Sequence, residues 1–150
     1  MIPDFNSDGL LPPGIHRSEW VEFECRFGHN GHRQRLLSGL RRVLLNLKRA
    51  GCREAFLDGS YVTRKELPDD YDGCWDTIGV DPFVLDPVLL EFSNFRAAQK
   101  AKYLGEMFPA QLPEGATGKR WIDFFQTDTD TGSPKGIVAI DLESVPDDQE

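Results

Sequence analysis

The stretch that decides the fold runs from Leu57 to Asp76 and reads LDGSYVTRKELPDDYDGCWD. The segment Glu54–Ser60 predicts a short strand that ends in a glycine turn. Residues 61–68 mix polar side chains with a proline and predict a loop or a short helical turn, and residues 70–76 predict a second strand. Strand, turn and strand therefore form one small unit that contains a glycine turn and two nearby aspartates.

Gly59, Ser60, Asp70 and Asp72 form a pattern with chemical meaning. Because Gly59 has no side chain, the backbone there can approach a phosphate closely, and Ser60 adds a hydroxyl donor. Asp70 and Asp72 are two residues apart in a predicted strand, so their side chains project from the same face. Two close carboxylates repel unless a cation lies between them, and Mg²⁺ bridges carboxylates to substrate phosphates. Taken singly, these residues also fit an ordinary turn and a solvated hairpin end; taken together, they favour a nucleotide site.

This arrangement resembles the nucleotidyltransferase superfamily with the DNA polymerase β-like fold, and within it the small members called minimal nucleotidyltransferases. The superfamily signature is Gly-Ser, a spacer and Asp-x-Asp, which Gly59-Ser60 and Asp70-Tyr-Asp72 match. The resemblance implies that Gly59 and Ser60 bind the nucleotide, that Asp70 and Asp72 are catalytic metal ligands, and that Mg²⁺ is the cofactor, with room for two ions as in the two-metal members of the superfamily. It covers residues 54–76, and residues 120–126 more loosely.

The resemblance also implies a third carboxylate on a later strand. Asp123 lies between Ile122 and Phe124 in the predicted strand 120–126, and we expect it to be the third catalytic and metal-binding residue. Asp141, in the predicted strand Gly136–Leu142, is the alternative.

The implied activity is transfer of a nucleoside monophosphate from an NTP, such as ATP, to an acceptor hydroxyl with release of pyrophosphate. The acceptor would be RNA, a protein or a small molecule, and by analogy with small superfamily members a toxin–antitoxin or phage-defence system with a cognate partner protein is expected. Asp58 and Gly73 depart from the pattern, since the family usually has apolar and β-branched residues at these positions. The alternative is therefore a catalytically inactive nucleotidyltransferase-like binding module, an antitoxin-like protein partner.

The whole chain, residues 1–150, predicts a single α+β domain with a nucleotidyltransferase-like fold, in which helices pack on a small mixed sheet. A Pro/Gly-rich extended arm is expected at 1–15 and an acidic tail at 145–150. Helices are predicted at His32–Arg49, where leucines recur at helical spacing, and at Asp86–Met107.

Charge is distributed unevenly along the chain. Net charge is −8, yet residues 26–53 contain eight Lys or Arg and no Asp or Glu. This basic segment predicts either a helix face that meets acidic segments of the same protein or a patch for a polyanion. The three cysteines are scattered, and no apolar run is long enough to span a membrane, so we expect a cytoplasmic protein with no membrane contact.

Overall fold

A mixed β-sheet organises residues 1–147, which are the residues that the computed structural model describes. Its five strands lie in the order β1-β5-β2-β3-β4. The β1–β5 and β3–β4 pairs are parallel, whereas β2 is antiparallel to both of its neighbours. Helices pack on this sheet, which fits the expected α+β class. The strands are β1 (Gly14–Ser18), β2 (Glu54–Asp58), β3 (Tyr71–Trp75), β4 (Gly105–Pro109) and β5 (Gly136–Asp141).

The long helix predicted after His32 is confirmed. It spans Gly31–Arg49, and the side chain of Asn30 caps its N-terminus by accepting a hydrogen bond of 2.7 Å from the backbone N–H of Arg33. Its leucine stripe is buried, with Leu40 and Leu44 fully shielded from solvent. The α-helices are α1 (Trp20–Phe27), α2 (Gly31–Arg49), α3 (Ser93–Tyr103) and α4 (Trp121–Phe124).

The two faces of the sheet pack differently, because successive side chains on a strand point to opposite faces. Leu57, Tyr71 and Met107 belong to the larger core, which also contains the buried residues of α1 and α2. Phe56, Cys74, Phe108 and Phe125 belong to a second, smaller cluster, with residues of α4 packed against it. Asp72 and Glu106, two positions before Cys74 and Phe108, face this second side.

The predicted helix Asp86–Met107 is wrong in its extent. Asp86 does cap a helical segment, but this is a single 3₁₀ turn, Pro87–Leu90, and α3 follows separately. Leu104 then adopts left-handed dihedrals (φ 67°), which end α3 and lead directly into β4. The helical pattern of residues 86–107 therefore does not predict strand β4.

The predicted strand 120–126 is also wrong, since these residues contain the single helical turn α4. Trp121, Phe124 and Phe125 lie at helical spacing, and this periodicity puts all three rings against the second core cluster. The predicted strand Gly136–Leu142 is confirmed as β5, which ends at Asp141.

The N-terminal arm and the basic segment contact the rest of the chain. The arm leads into strand β1, which begins at Gly14, and Ile2 and Leu11 in the arm are buried. In α2, Arg41 donates hydrogen bonds to the carbonyl of Pro146 and Lys48 to that of Val145, so this basic face meets the start of the acidic tail. Residues 148–150 of the predicted tail lie outside the described residues. Among the helices of residues 1–147, none is long and apolar enough to cross a membrane.

Candidate functional site

The predicted phosphate turn lies directly against one of the predicted metal ligands. Gly59 follows β2 with a positive φ of 75° and a ψ of −166°, a combination that favours glycine, and Ser60 begins a short 3₁₀ turn. A Cβ atom added to Gly59 would lie 2.5 Å from Oδ2 of Asp72, closer than real Cβ contacts allow. Gly59 is therefore required both by its backbone conformation and by the closeness of the Asp72 carboxylate.

Asp70, Asp72 and Glu106 form an acidic cluster beside this turn. One carboxylate oxygen from each residue lies within 4.8 Å of the others, so the three could hold a single metal ion. Asp72 lies on β3, Asp70 immediately precedes that strand, and Glu106 is the cross-strand neighbour of Asp72 on β4. The two predicted aspartates are thus together, and Glu106 joins them.

The carboxylates of the acidic cluster are poorly compensated. Burial, followed by the charges of Asp70 and Glu106, raises the pKa of Asp72 well above its usual range. Burial and the charge of Glu106 also raise the pKa of Asp70. A divalent cation would oppose these shifts, because it supplies positive charge and coordinates the oxygens in place of water. The donor set, three carboxylates, is one that Mg²⁺ accepts.

Two cations of α3 contact Glu106. Nε of Arg96 donates a hydrogen bond of 2.6 Å to Oε1 of Glu106, and Nζ of Lys100 lies 3.7 Å from the same oxygen. The Glu106 side chain is only 12% exposed. Part of the acidic cluster is therefore neutralised by the protein itself.

Asp58, which departs from the superfamily pattern, has its own partner. It is buried next to Asp72 across the β2–β3 pair, and Nζ of Lys135 lies 3.3 Å from its Oδ1. Burial raises its pKa to about 6, although Lys135 and the backbone N–H of Gly59 act in the opposite direction. Lys135 thus offsets the negative charge that Asp58 adds near the turn.

The second departure, Gly73, follows from close packing between strands. A Cβ on Gly73 would lie 2.5 Å from the carbonyl oxygen of Phe56 and 2.9 Å from Sδ of Met107. A β-branched residue does not fit there without moving β2.

Asp123 is not the third member of the acidic cluster. It was predicted in a strand beside Asp70 and Asp72, but it lies in α4, exposed to solvent, and Nε of Arg120 donates a 3.0 Å hydrogen bond to its Oδ2. Asp141 is not the third member either. In the β2–β5 register it lies opposite Glu54, at the other end of β2 from Asp58, and its side chain caps the following turn. The sequence does not predict Glu106 as a member, because the predicted helix Asp86–Met107 extends into β4.

A buried arginine fixes the loop between the phosphate turn and Asp70. Arg33 in α2 is fully buried, and its guanidinium donates hydrogen bonds to the carbonyls of Tyr61, Thr63 and Lys65. The Tyr61 hydroxyl in turn donates to the carbonyl of Arg33 over 3.0 Å. The loop is thereby held to the rigid helix α2.

An aromatic cavity of about 600 Å³ opens at Asp72 and Glu106. The rings of Phe92, Phe108 and Trp121 stack within it, with Phe108 and Trp121 centroids 3.8 Å apart. Trp121 lines this cavity, whereas Tyr71 and Trp75 are buried in the core. The volume suits a small organic ligand.

Fold and site together define an α+β protein with a glycine turn packed against an acidic cluster. Residues 3–141 match DUF6932, a family of unknown function, and the chain belongs to that family. No curated protein and no solved structure matches the chain.

Proposed function

We propose that the chain is a magnesium-dependent nucleotidyltransferase that moves a nucleoside monophosphate from an NTP to a hydroxyl group. The observation that carries the proposal is the close approach of the Asp72 carboxylate to Gly59, since a turn without a side chain and a cluster of carboxylates are the two parts that a magnesium–nucleotide site needs. The nucleotidyltransferase fold, suggested by the resemblance of residues 54–76, belongs to the same proposal.

Asp70, Asp72 and Glu106 would hold Mg²⁺ in this protein. Their fit is supported by the short distances among them; burial, followed by neighbouring carboxylates, also raises the pKa of Asp70 and of Asp72. Bound there, Mg²⁺ would neutralise charge on the phosphates and orient the α-phosphate for attack.

The chain's own residues would act on the NTP and on the acceptor. Ser60 would donate its hydroxyl to a phosphate oxygen, while the absent side chain of Gly59 leaves the phosphates room to approach. The acceptor oxygen forms a bond to the α-phosphorus, the bond from that phosphorus to the bridging oxygen breaks, and pyrophosphate leaves with the electron pair. The acceptor proton passes to a carboxylate, for which Glu106 is well placed next to the aromatic cavity.

RNA or protein hydroxyls are the proposed acceptors, and a toxin–antitoxin or phage-defence setting with a cognate partner protein follows by analogy. The aromatic cavity beside Glu106 offers stacking surface for a planar group of either substrate. The binding-module alternative makes a different prediction, because it requires no turnover.

Radiolabel transfer tests the proposal. The protein is incubated with each α-³²P-labelled NTP, Mg²⁺ and candidate acceptors, and pyrophosphate release is followed in parallel. We expect Mg²⁺-dependent transfer that Asp72→Asn abolishes and that Asp130→Asn, at an exposed loop carboxylate, leaves unchanged. Transfer that survives Asp72→Asn would contradict the proposal, and failure of all four NTPs to label RNA, protein or the chain itself would favour the binding module.

A further inference from the structure

Arg96 contacts the acidic cluster in a way that a metal ion would disturb. Its Nε hydrogen-bonds Oε1 of Glu106 over 2.6 Å, and its side chain is 30% exposed. A guanidinium and a divalent ion on one carboxylate repel each other, because both are positively charged. Metal binding at Asp70, Asp72 and Glu106 therefore weakens the hold of Arg96 on Glu106.

The backbone that carries Arg96 is in a disfavoured conformation. Asn94, Phe95 and Arg96 all have left-handed dihedrals, with φ values of 52°, 54° and 58°. Residues with a Cβ avoid this region, so three in succession persist only when other contacts hold them. Phe95 is 78% exposed, whereas Arg96 at the end of this turn is tied to β4 through its ion pair with Glu106.

Arg96 also lies where a phosphate would meet it. Its guanidinium is 5.7 Å from the centroid of the Phe108 ring and lines the aromatic cavity together with Asp72 and Glu106. A guanidinium presents several donors in a planar fork that matches phosphate oxygens. Once Arg96 is released from Glu106, it can pair with the phosphates of a bound nucleotide.

We infer that Arg96 binds the phosphates of the nucleotide, and that in the metal-free protein it is paired with Glu106 instead. This inference rests on the proposed function and adds a named residue and an order of events to it. Metal takes the carboxylates, the Arg96–Glu106 pair opens, the left-handed turn relaxes, and Arg96 binds the phosphates of the incoming nucleotide.

Two binding measurements on Arg96→Gln test the inference, because they shift in opposite directions. Without nucleotide, Mn²⁺ binding followed by electron paramagnetic resonance becomes tighter by roughly tenfold, the effect of removing a unit charge about 6 Å from a divalent ion in a water-like dielectric. With Mg²⁺ present, binding of a nonhydrolysable ATP analogue followed by calorimetry becomes roughly ten- to hundredfold weaker, since a charge-assisted hydrogen bond is lost.

Arg120→Gln is the matched control. Arg120 also pairs through Nε with a nearby carboxylate, Asp123, but away from the acidic cluster, so its removal changes neither affinity. Arg96→Lys keeps the charge and should give smaller shifts than Arg96→Gln in both assays. If Arg96 had a purely structural role, Arg96→Gln would weaken the binding of Mn²⁺ and of the ATP analogue together.

The outcomes separate this inference from the proposed function. Wild-type protein that binds neither Mn²⁺ nor the analogue overturns both. Wild-type protein that binds them, with Arg96→Gln shifting both affinities downward or neither, overturns the role of Arg96 alone. If Arg96→Gln does not fold, amide hydrogen exchange of residues 93–97 in the wild type replaces it. Mg²⁺ should speed that exchange and added analogue should slow it, and exchange that neither ligand alters contradicts the inference.

Discussion

Replacing Asp72 by Asn should stabilise the metal-free protein at neutral and alkaline pH. The three carboxylates of the acidic cluster lie within 4.8 Å of one another, and Asp72 is the member with like charges on both sides. Two unit charges 4.8 Å apart repel by about 3–4 kcal/mol at an effective dielectric constant of 20. Shared protons and the cations Arg96 and Lys100 relieve part of this repulsion, so we expect a gain of about 1–2 kcal/mol in the free energy of unfolding.

The pH dependence of this gain has a definite sign. The pKa of Asp72 is raised in the folded state, so folded protein binds the proton more tightly than unfolded protein does. The contribution of Asp72 to wild-type stability is therefore fully present below the unfolded pKa, about 4, and is lost as pH rises through the folded pKa. Asn does not titrate, so the advantage of Asp72→Asn should appear above about pH 4 and grow until Asp72 ionises fully.

Thermal unfolding in EDTA, followed by circular dichroism at pH 4 and pH 8, measures the effect. At pH 8 the variant should melt about 2–8 °C above wild type, and at pH 4 the two should nearly coincide. Added Mg²⁺ should raise the melting temperature of wild type only. Asp130→Asn, at an exposed loop position, is the control and should change little at either pH. A variant that is less stable than wild type at pH 8, or equally stabilised at pH 4, would refute the electrostatic reasoning.

Three further substitutions test other parts of the site. Gly59→Ala should lower the free energy of unfolding, measured by denaturant titration, by about 1–2 kcal/mol, because φ at this position is 75°. It should also weaken nucleotide binding, measured by calorimetry, at least about tenfold, because the added Cβ meets Asp72. Glu106→Gln should reduce transfer far more than Asp123→Asn does, since only Glu106 belongs to the acidic cluster; initial rates at saturating NTP decide this. Arg33→Met should lower the free energy of unfolding by on the order of 3 kcal/mol, because it leaves buried loop carbonyls without donors; urea unfolding tests it.

Unaltered nucleotide affinity in Gly59→Ala would remove the turn from the site. Equal loss of transfer in Glu106→Gln and Asp123→Asn would return Asp123 to consideration as the third carboxylate. An Arg33→Met protein as stable as wild type would mean that the loop carbonyls accept hydrogen bonds from water instead.

The local part of the fold could be predicted from the sequence. The unit of β2, glycine turn and β3 is built from neighbouring residues, and the spacing of Asp70 and Asp72 alone puts them on one side. The leucine stripe of α2 is equally local. Both elements appear in the structure within about a residue of their predicted bounds.

The third carboxylate could not be predicted, because it depends on a pairing between distant segments. β4 is a five-residue strand whose partner, β3, lies about thirty residues earlier, and no alternation of polar and apolar residues marks it. The helical spacing of the aromatic residues in α4 was available in the sequence, but the apolar run around Asp123 also fits a strand. The helix predicted over the start of β4 excluded Glu106 from the predicted site, and the strand predicted over α4 included Asp123 instead.

Calorimetric titration of a nonhydrolysable NTP analogue tests most directly the claim that the glycine turn and the acidic cluster form one magnesium–nucleotide site. The titration is performed on wild type and on the Asp70→Asn/Asp72→Asn double variant, each with Mg²⁺ and with EDTA. We predict that wild type binds the analogue in Mg²⁺ but not in EDTA, and that the folded double variant binds it in neither. Equal affinity in EDTA, or undiminished binding by the double variant, would show that the glycine turn and the acidic cluster do not form such a site.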